Sequence, residues 1–479
     1  MQTSGELPAI TLPLPAVQDD GQRWTRWGAA EHGAKEGMGS MSTALLFLGA
    51  ALLLAFTLVV PRGVVIAELA LVTLAYVLAG AQKVTSLIRG MRVVPVPVTA
   101  DPPDPLPFYS VLVPVHREQT ILPVLVKRLT ALDYPVDRLE ILLLVEEDDH
   151  DTRWALGTID LPDQFHIVVV PLGKPTTKPR ALNVGLAHAV GDYCVVYDAE
   201  DRPEPDQLKK AVARFAQSDS RLACLQARLG IYNADQSWLT RLFSLDYLLW
   251  FHALLPGLDL VPLGGTSNHF RTRAVRRLGG WDPYNVTEDA DLGVRIARAG
   301  LSIGLLDSTT WEEAVPTPHA WLRQRSRWVK GYLQTYLVHM RQPAKTLKDL
   351  GIGRFLTFQG AIGASMLTLL VNPLMWALTI TYFLAKGTST GAAIEALFPT
   401  PVYYGALLCL VVGNFLYVYL LVYTAIRYGM ERLAYYALLG PLYWALMSVG
   451  AWMGLIDLML HPHRWSLTRH GVSQEAVSA

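Results

Sequence analysis

Apolar positions along this chain fall into three regimes. Near the N-terminus, Thr43–Val60 and Val64–Gln82 are apolar runs separated only by Pro61-Arg62-Gly63. Each is long enough to cross a bilayer as a helix, so residues 41–84 are expected to form a tight transmembrane hairpin. From Phe108 the pattern changes to short β-branched runs alternating with amphipathic stretches. Tyr109–Val115, Leu139–Val145, Phe165–Val170 and Tyr193–Tyr197 read as buried strands. Ile121–Leu132 and Lys178–Ala189 read as helices, and Pro205 as the opening of another. After residue 342 the long runs return as Leu356–Leu384, Val402–Thr424 and Leu433–Leu460, preceded by a mixed segment, Thr346–Phe358, suited to the membrane interface.

Strand–helix alternation predicts an α/β domain over 108–342 with a mainly parallel sheet covered on both faces and ligands at the carboxyl ends of its strands. Residues 1–40, rich in Pro, Gly and charge, predict a disordered tail, and no secretory signal is expected because the first apolar run begins only after them. Six prolines in Pro95–Pro107 make 85–107 a stiff linker. Residues 343–460 hold the interfacial segment and about three membrane segments, and 461–479 are a C-terminal tail. Arg23, Arg26 and Lys35 flank one open end of the hairpin; Lys83, Arg89 and Arg92 flank the other. The positive-inside rule then puts both ends, and the domain, in the cytoplasm.

Composition agrees. Of 479 residues, 51% are hydrophobic and 17% charged, too apolar for an ordinary soluble protein. A net charge of zero argues for no nucleic-acid partner. Cys194, Cys224 and Cys409 lie far apart and imply neither a disulfide frame nor a thiolate zinc site.

The polar chemistry gathers where strands end. One strand runs into Glu146-Glu147-Asp148-Asp149 and another into Asp198-Ala199-Glu200-Asp201. Packed carboxylates repel unless a cation sits among them. Oxygen-only ligands at Asp198, Glu200 and Asp201 suit Mg²⁺ or Mn²⁺, commonly shared with substrate phosphates. Either cluster alone also reads as a solvated acidic turn. Lys174, Lys178 and Arg180 stand at a helix start, where an anionic leaving group would be met. Gly264-Gly265-Thr266-Ser267-Asn268 allows close approach to backbone, and Trp281 in Gly279–Asp282 is either an exposed turn residue or core. Thr287-Glu288-Asp289 precedes a helix over Ala290–Ala299 with Thr287 at its N-cap; acids there are also ordinary capping residues. Finally, Trp321 to Trp328 holds two tryptophans, three arginines and Gln324. Such a segment either grips a diphosphate and stacks a sugar, or lies as a belt at headgroup depth.

Acid cluster, DAED, TED and Q-x-x-R-W, in that order and between membrane segments, resemble the processive family-2 glycosyltransferases, the superfamily of cellulose, hyaluronan, chitin and curdlan synthases. The resemblance is dense over Phe108–Tyr336 and loose over the membrane segments. It implies a glycosyltransferase-A type nucleotide-sugar-binding domain, cytoplasmic, inserted between transmembrane helices of a multi-pass plasma- or inner-membrane protein. It also implies a nucleotide-sugar donor, UDP-glucose favoured, a growing polysaccharide acceptor, and Mg²⁺ or Mn²⁺. On this chain it places Glu146, Glu147, Asp149 and Lys178 with the donor, although many relatives have Asp-Asp-Gly where Glu146–Asp149 stand. Asp198 and Glu200 take the D-x-D positions, Glu replacing the second Asp and Asp201 following. Asp289 resembles the general base, with Thr287 and Glu288 on the acceptor side. Arg327 would hold the diphosphate, and Trp328, with Gln324, the terminal sugar.

Inverting transfer needs one base and charge compensation on the leaving diphosphate, without a nucleophilic carboxylate. Two other functions fit the chain less well. Transfer of one sugar to a lipid would not need Q-x-x-R-W, and a non-catalytic transporter or receptor would not need intact acids.

Polar and aromatic residues within the spans (Asn372, Asn414, Trp376, Tyr403, Tyr404, Tyr417, Tyr443, Trp444) either join helices and belts or line an exit path. Trp465-Ser466-Leu467-Thr468-Arg469 loosely resembles the gating loop of cellulose synthases, with Trp465, Thr468 and Arg469 in the matching places. Three crossings after the domain would leave that loop outside. A cytoplasmic loop requires Leu433–Leu460 not to cross once, with Gly440-Pro441 as the break; the other reading is a simple span and a basic tail outside.

Overall fold

The computed structural model describes residues 33–37, 62–93 and 102–464. The predicted span Thr43–Val60, most of the N-terminal tail and the loop candidates Trp465, Thr468 and Arg469 lie outside these residues.

The strands are β1 (Tyr109–Val115), β2 (Leu139–Glu146), β3 (Phe165–Val170), β4 (Tyr193–Val196), β5 (Arg202–Pro203), β6 (Leu222–Ile231), β7 (Asn268–Arg271) and β8 (Ser302–Glu312). They form one sheet in the order β3-β2-β1-β4-β7-β6-β8-β5. β1 pairs in parallel with β2 and β4, and β2 with β3, as the alternation predicts. β7 lies antiparallel between β4 and β6, making the sheet mixed. Every residue of β2 is buried, because helices cover both faces and no side of the strand meets water. The expected arrangement, an α/β domain set between long apolar helices, is the one observed.

The helices that place the site are α1 (Arg62–Arg92), α2 (Lys178–His188), α3 (Trp238–Tyr247), α4 (Glu288–Arg298), α5 (Pro318–His339), α6 (Pro343–Leu384), α7 (Thr400–Arg427) and α8 (Glu431–Leu460). Four of them, α1, α6, α7 and α8, are long and apolar enough to cross a membrane. α1 continues to Arg92, so the first part of the expected linker is helical. It docks on the domain by backbone contact: a Cβ on Gly257 would lie 1.8 Å from the Ser86 carbonyl oxygen. Pro205 does not open a helix; that helix is Gln207–Ala216. The Thr346–Phe358 segment belongs to α6, bent at Gly351, whose φ of 72° a side chain would resist. Within the tail expected to be disordered, Ala34–Gly37 is a short helix: the Ala34 N–H donates to Asp282 at 2.6 Å.

α8 is the most deeply packed of the four long apolar helices. Glu431–Leu439 is a 3₁₀ run, and the α-helical part begins at Gly440, where Pro441 takes the first turn. Rather than leaving the domain at right angles, α8 runs beside α5 in the same direction. Tyr443 meets Arg325, Gly450 packs on Arg325 and Gly454 on Ser326. At the far end Lys330 donates to the carboxylate of Asp457 (2.8 Å) and to the carbonyls of His461 (2.6 Å) and Arg464 (2.9 Å). Both ends of α8 therefore meet the same domain-side helix.

α4 is anchored by a buried ionic cluster. Asp291 accepts from Arg295 Nε at 2.7 Å and lies 3.0 Å from His339 Nε2. Burial alone would raise the Asp291 carboxyl, but Arg295 and His339 hold it down at about 2. Asp291→Ala strands a buried guanidinium and is expected to cost about 3–5 kcal/mol, measured as a lower unfolding midpoint in detergent.

Candidate active site

A cavity of about 620 Å³ opens at the carboxyl ends of the central strands and continues between the membrane helices. Its domain end is lined by Lys178, Asp198, Glu200, Gly264, Gly265, Thr287, Glu288, Asp289, Glu312, Glu313, Gln324, Arg327 and Trp328. Three of the four sequence motifs thus meet on one surface.

Each side chain is delivered by a local rule. Asp198 and Glu200 follow β4, where the strand runs out and the backbone turns. Lys178 opens α2; its ammonium is bonded to Asp198 and donates to the Gly265 carbonyl at 2.8 Å. Burial alone would lower this ammonium, but Asp198, Glu288 and Asp289 raise it, so it stays charged. Glu288 and Asp289 form the first turn of α4, preceded by Thr287, whose side chain makes no capping bond. Asp289 accepts from the Ala290 N–H at 2.7 Å. Gly265 lies beside these groups: a Cβ there would sit in ordinary contact, 3.5 Å from Asp289 Oδ2 and 3.9 Å from Lys178 Nζ. Gly331 is what brings α5 close, since a Cβ on it would come within 2.5 Å of the Thr287 methyl.

Burial pushes Asp289 up to about 6, against the pull of the Ala290 N–H and Lys178. Glu288 is raised by burial and then by Asp289. Burial lowers Arg327, while Glu288, Asp198 and Asp289 oppose the fall and leave it a cation. Trp328 stacks on Phe243 (6.1 Å between centroids, 29° between planes) and on Tyr247 (6.5 Å, 24°). Gln324 is buried, and its Oε1 has no hydrogen-bond partner among the described residues.

Other candidates lie elsewhere. Glu146, Glu147 and Asp149 do not line the cavity. Glu146 pairs with Arg180 at 3.0 Å, Glu147 accepts from the Leu172 N–H at 2.8 Å, and Asp149 caps the helix His150–Gly157 by accepting from the Thr152 N–H at 3.2 Å. Asp201 is turned inward: its carboxylate accepts from the Asp198 N–H at 2.8 Å and from the Thr266 hydroxyl. Burial and then Asp198 push it well above the usual carboxylate range. Trp281 is core, packed edge-on against Phe270 at 5.8 Å. Asn372, by contrast, both lines the cavity and joins helices, accepting from the Tyr76 hydroxyl at 2.8 Å. Charged cavity residues that were not among the expected site residues are Glu312, Glu313, Asp246, Arg325 and Lys83. The adjacent acids Glu312-Glu313, ending a strand just before the QRSRW helix, were the available signal.

A divalent cation fits part of the expected set. Among the described residues no three His, Cys, Asp or Glu side chains gather to cage a metal alone. Asp198 and Glu200 both face the cavity, and Mg²⁺ or Mn²⁺ commonly takes one or two carboxylates plus substrate phosphates. Burial and then Asp198 and Glu200 drive Glu312 above its ordinary range, an electrostatic load that a cation would relieve.

Residues 193–449 match the family described as glycosyl transferase family group 2. A beta-monoglucosyldiacylglycerol synthase of Synechocystis is 31% identical over 268 residues, 53% of this chain and 55% of that one. A glucomannan 4-beta-mannosyltransferase of Arabidopsis thaliana is 28% identical over 242 residues, 47% of this chain and 44% of that one. The chain thus spans about half the length of these curated relatives. A mannosyltransferase from Pyrobaculum calidifontis, solved with GDP-Man and Mn²⁺, is similar at 20% identity with a TM-score of 0.47, over 78% of this chain and 99% of that one.

Proposed function

Since the chain belongs to glycosyl transferase family group 2, we propose that it is an inverting hexosyltransferase that polymerises a β-linked glycan from a nucleotide-sugar, UDP-glucose favoured, and passes the product into the membrane. The observation that carries this reading is the cavity's continuity. It runs from Asp198 and Asp289 past Trp328 and on between α1, α6 and α7 to Ile394, Phe398 and Tyr403. That far end adjoins Ala396, whose carbonyl accepts from Arg62 Nε at 2.9 Å at the opposite end of α1 from the domain. A polymer leaving the site requires a path in this direction.

In this reading Asp289 takes the proton of the acceptor hydroxyl as it attacks the anomeric carbon. Arg327 and Lys178 face the negative charge on the departing diphosphate. Trp328 holds the terminal sugar against its ring, and Gln324 presents an unpaired carbonyl to the acceptor side. Asp198 and Glu200 would hold Mg²⁺ or Mn²⁺, which supplies charge neutralisation at the diphosphate.

A second reading has a specific support. Val72, Leu369, Met375, Leu378, Leu407 and Leu410 make much of the membrane half of the wall aliphatic, as suits an acyl chain, and the Synechocystis relative is a lipid glycosyltransferase by name. Reconstitution in proteoliposomes with Mg²⁺ and labelled UDP-glucose separates the two. Long-chain, β-glucanase-sensitive label is the expected result. Label confined to the lipid extract would replace the polymer reading with the second one. No incorporation from UDP-glucose, UDP-N-acetylglucosamine or GDP-mannose would remove both.

For topology, we read α1, α6 and α7 as crossing and α8 as lying along the interface, with the C-terminal side of Arg464 on the cytoplasmic face. A cysteine at Ser478, with Cys409 replaced by Ala, is expected to stay unlabelled by an impermeant thiol reagent on intact cells and to label in inverted vesicles. Labelling from outside would make α8 a crossing helix and end the gating-loop assignment of Trp465, Thr468 and Arg469.

A further inference from the structure

Arg325 lies inside the QRSRW stretch but outside the Q-x-x-R-W match. An interfacial arginine would extend its head toward water. This one does the reverse: its side chain is 5% exposed. The guanidinium carbon lies 4.3 Å from the ring centre of Phe243, 4.5 Å from Trp328, 5.3 Å from Trp321 and 5.8 Å from Tyr443. One nitrogen donates to the Tyr443 hydroxyl at 2.9 Å, and another is 3.4 Å from the Asp246 carboxylate. Asp246 in turn accepts from the hydroxyls of Tyr443 (3.2 Å) and Tyr417 (3.3 Å). α3, α5, α7 and α8 thus meet at one ion pair, its guanidinium buried and its carboxylate facing the cavity.

A buried charge is retained at a desolvation cost, and packing alone would be served as well by an apolar side chain. What an apolar side chain would not supply is a planar cation held over an indole and paired to a carboxylate. The indole so held is Trp328, whose ring also lines the cavity. Sugar stacking needs that ring in one plane before the sugar arrives, and a preset plane lowers the ordering cost of each acceptor-binding event.

We propose that Arg325 is a positioning residue for acceptor binding: clamped by Asp246, it sets the plane of Trp328, and Tyr417 and Tyr443 tie that plane to the two C-terminal membrane helices. The inference rests on the reading of Trp328 as the acceptor platform. It makes the acceptor end of the site sensitive to how α7 and α8 pack, whereas the donor end is built on the sheet.

The test compares Arg325→Lys, Tyr443→Phe and Trp328→Ala in the purified full chain with Mg²⁺ and UDP-glucose, reading sugar transferred per UDP released. Lysine keeps the charge that Asp246 needs and removes the plane, which protects folding. Arg325→Lys is expected to lower the ratio about tenfold, with UDP release falling much less, and Tyr443→Phe to lower it by a smaller factor in the same direction. A wild-type ratio in Arg325→Lys beside a low ratio in Trp328→Ala would overturn the inference and leave the platform standing. Transfer and UDP release falling in parallel in Arg325→Lys would also overturn it, by showing a role in the fold alone. A wild-type ratio in Trp328→Ala would remove the platform, and this inference with it.

Discussion

Asp289→Asn is expected to lower sugar transfer by about 10² or more while leaving UDP affinity, read by calorimetry, within a few-fold. Asparagine keeps the shape and the oxygen that accepts from the Ala290 N–H, so the first turn of α4 is preserved. It removes the only property the reaction needs, a basic oxygen on the cavity wall. The environment suits that task, because a general base works best when its pKa approaches the working pH. Burial lifts the Asp289 carboxyl to about 6, whereas an exposed aspartate would be a weaker base. The sign follows: the active form is the deprotonated one, so kcat/KM should fall as pH drops through about 6 and level off above it. Near-wild-type transfer by the asparagine variant would return Asp289 to an ordinary helix-start acid.

The parts of this molecule that were legible in sequence are those where one physical demand dominates. β1 to β4 read correctly because strands covered on both faces are apolar at most positions. DAED and TED converge because each stands where an element begins or ends at one rim of the sheet, and Q-x-x-R-W, inside α5, joins them because Gly331 lets that helix pack against Thr287. Where two demands write the same residues, the sequence was silent. An acid that caps a helix and an acid that binds a ligand are the same letter: Asp149 proves to be the first kind within this chain, and Asp201 a buried acceptor for a turn. Hydropathy likewise scores crossing and interface-lying helices alike, and α8 meets the length and apolarity of a crossing helix whatever its path, with Gly440-Pro441 marking where its α-helical part begins. The pair Arg325–Asp246 bridges elements distant in the chain and has no local pattern at all.

Removal of divalent cations is expected to abolish transfer, by about 10² or more, with Mn²⁺ or Mg²⁺ restoring it and Zn²⁺ restoring it poorly. The argument is one of charge. At the donor end Asp198, Glu200, Glu288, Asp289, Glu312 and Glu313 face a cavity into which, among the described residues, Lys178 and Arg327 bring the positive charge on that side. Lys178 is already bound to Asp198. A nucleoside diphosphate entering this site adds further negative charge, which two side-chain cations surrounded by carboxylates would not offset. Glu312, raised first by burial, is raised further by Asp198 and Glu200 before any substrate is present. A hard cation held by Asp198 and Glu200 would reverse the local sign, and oxygen-only donors disfavour zinc. Asp198→Asn should then weaken UDP binding in the presence of Mn²⁺ far more than in chelator, a difference that calorimetry reads without any turnover. Equal weakening in both conditions would assign Asp198 to Lys178 alone, and full transfer in chelator would mean that Lys178 and Arg327 carry the leaving group unaided.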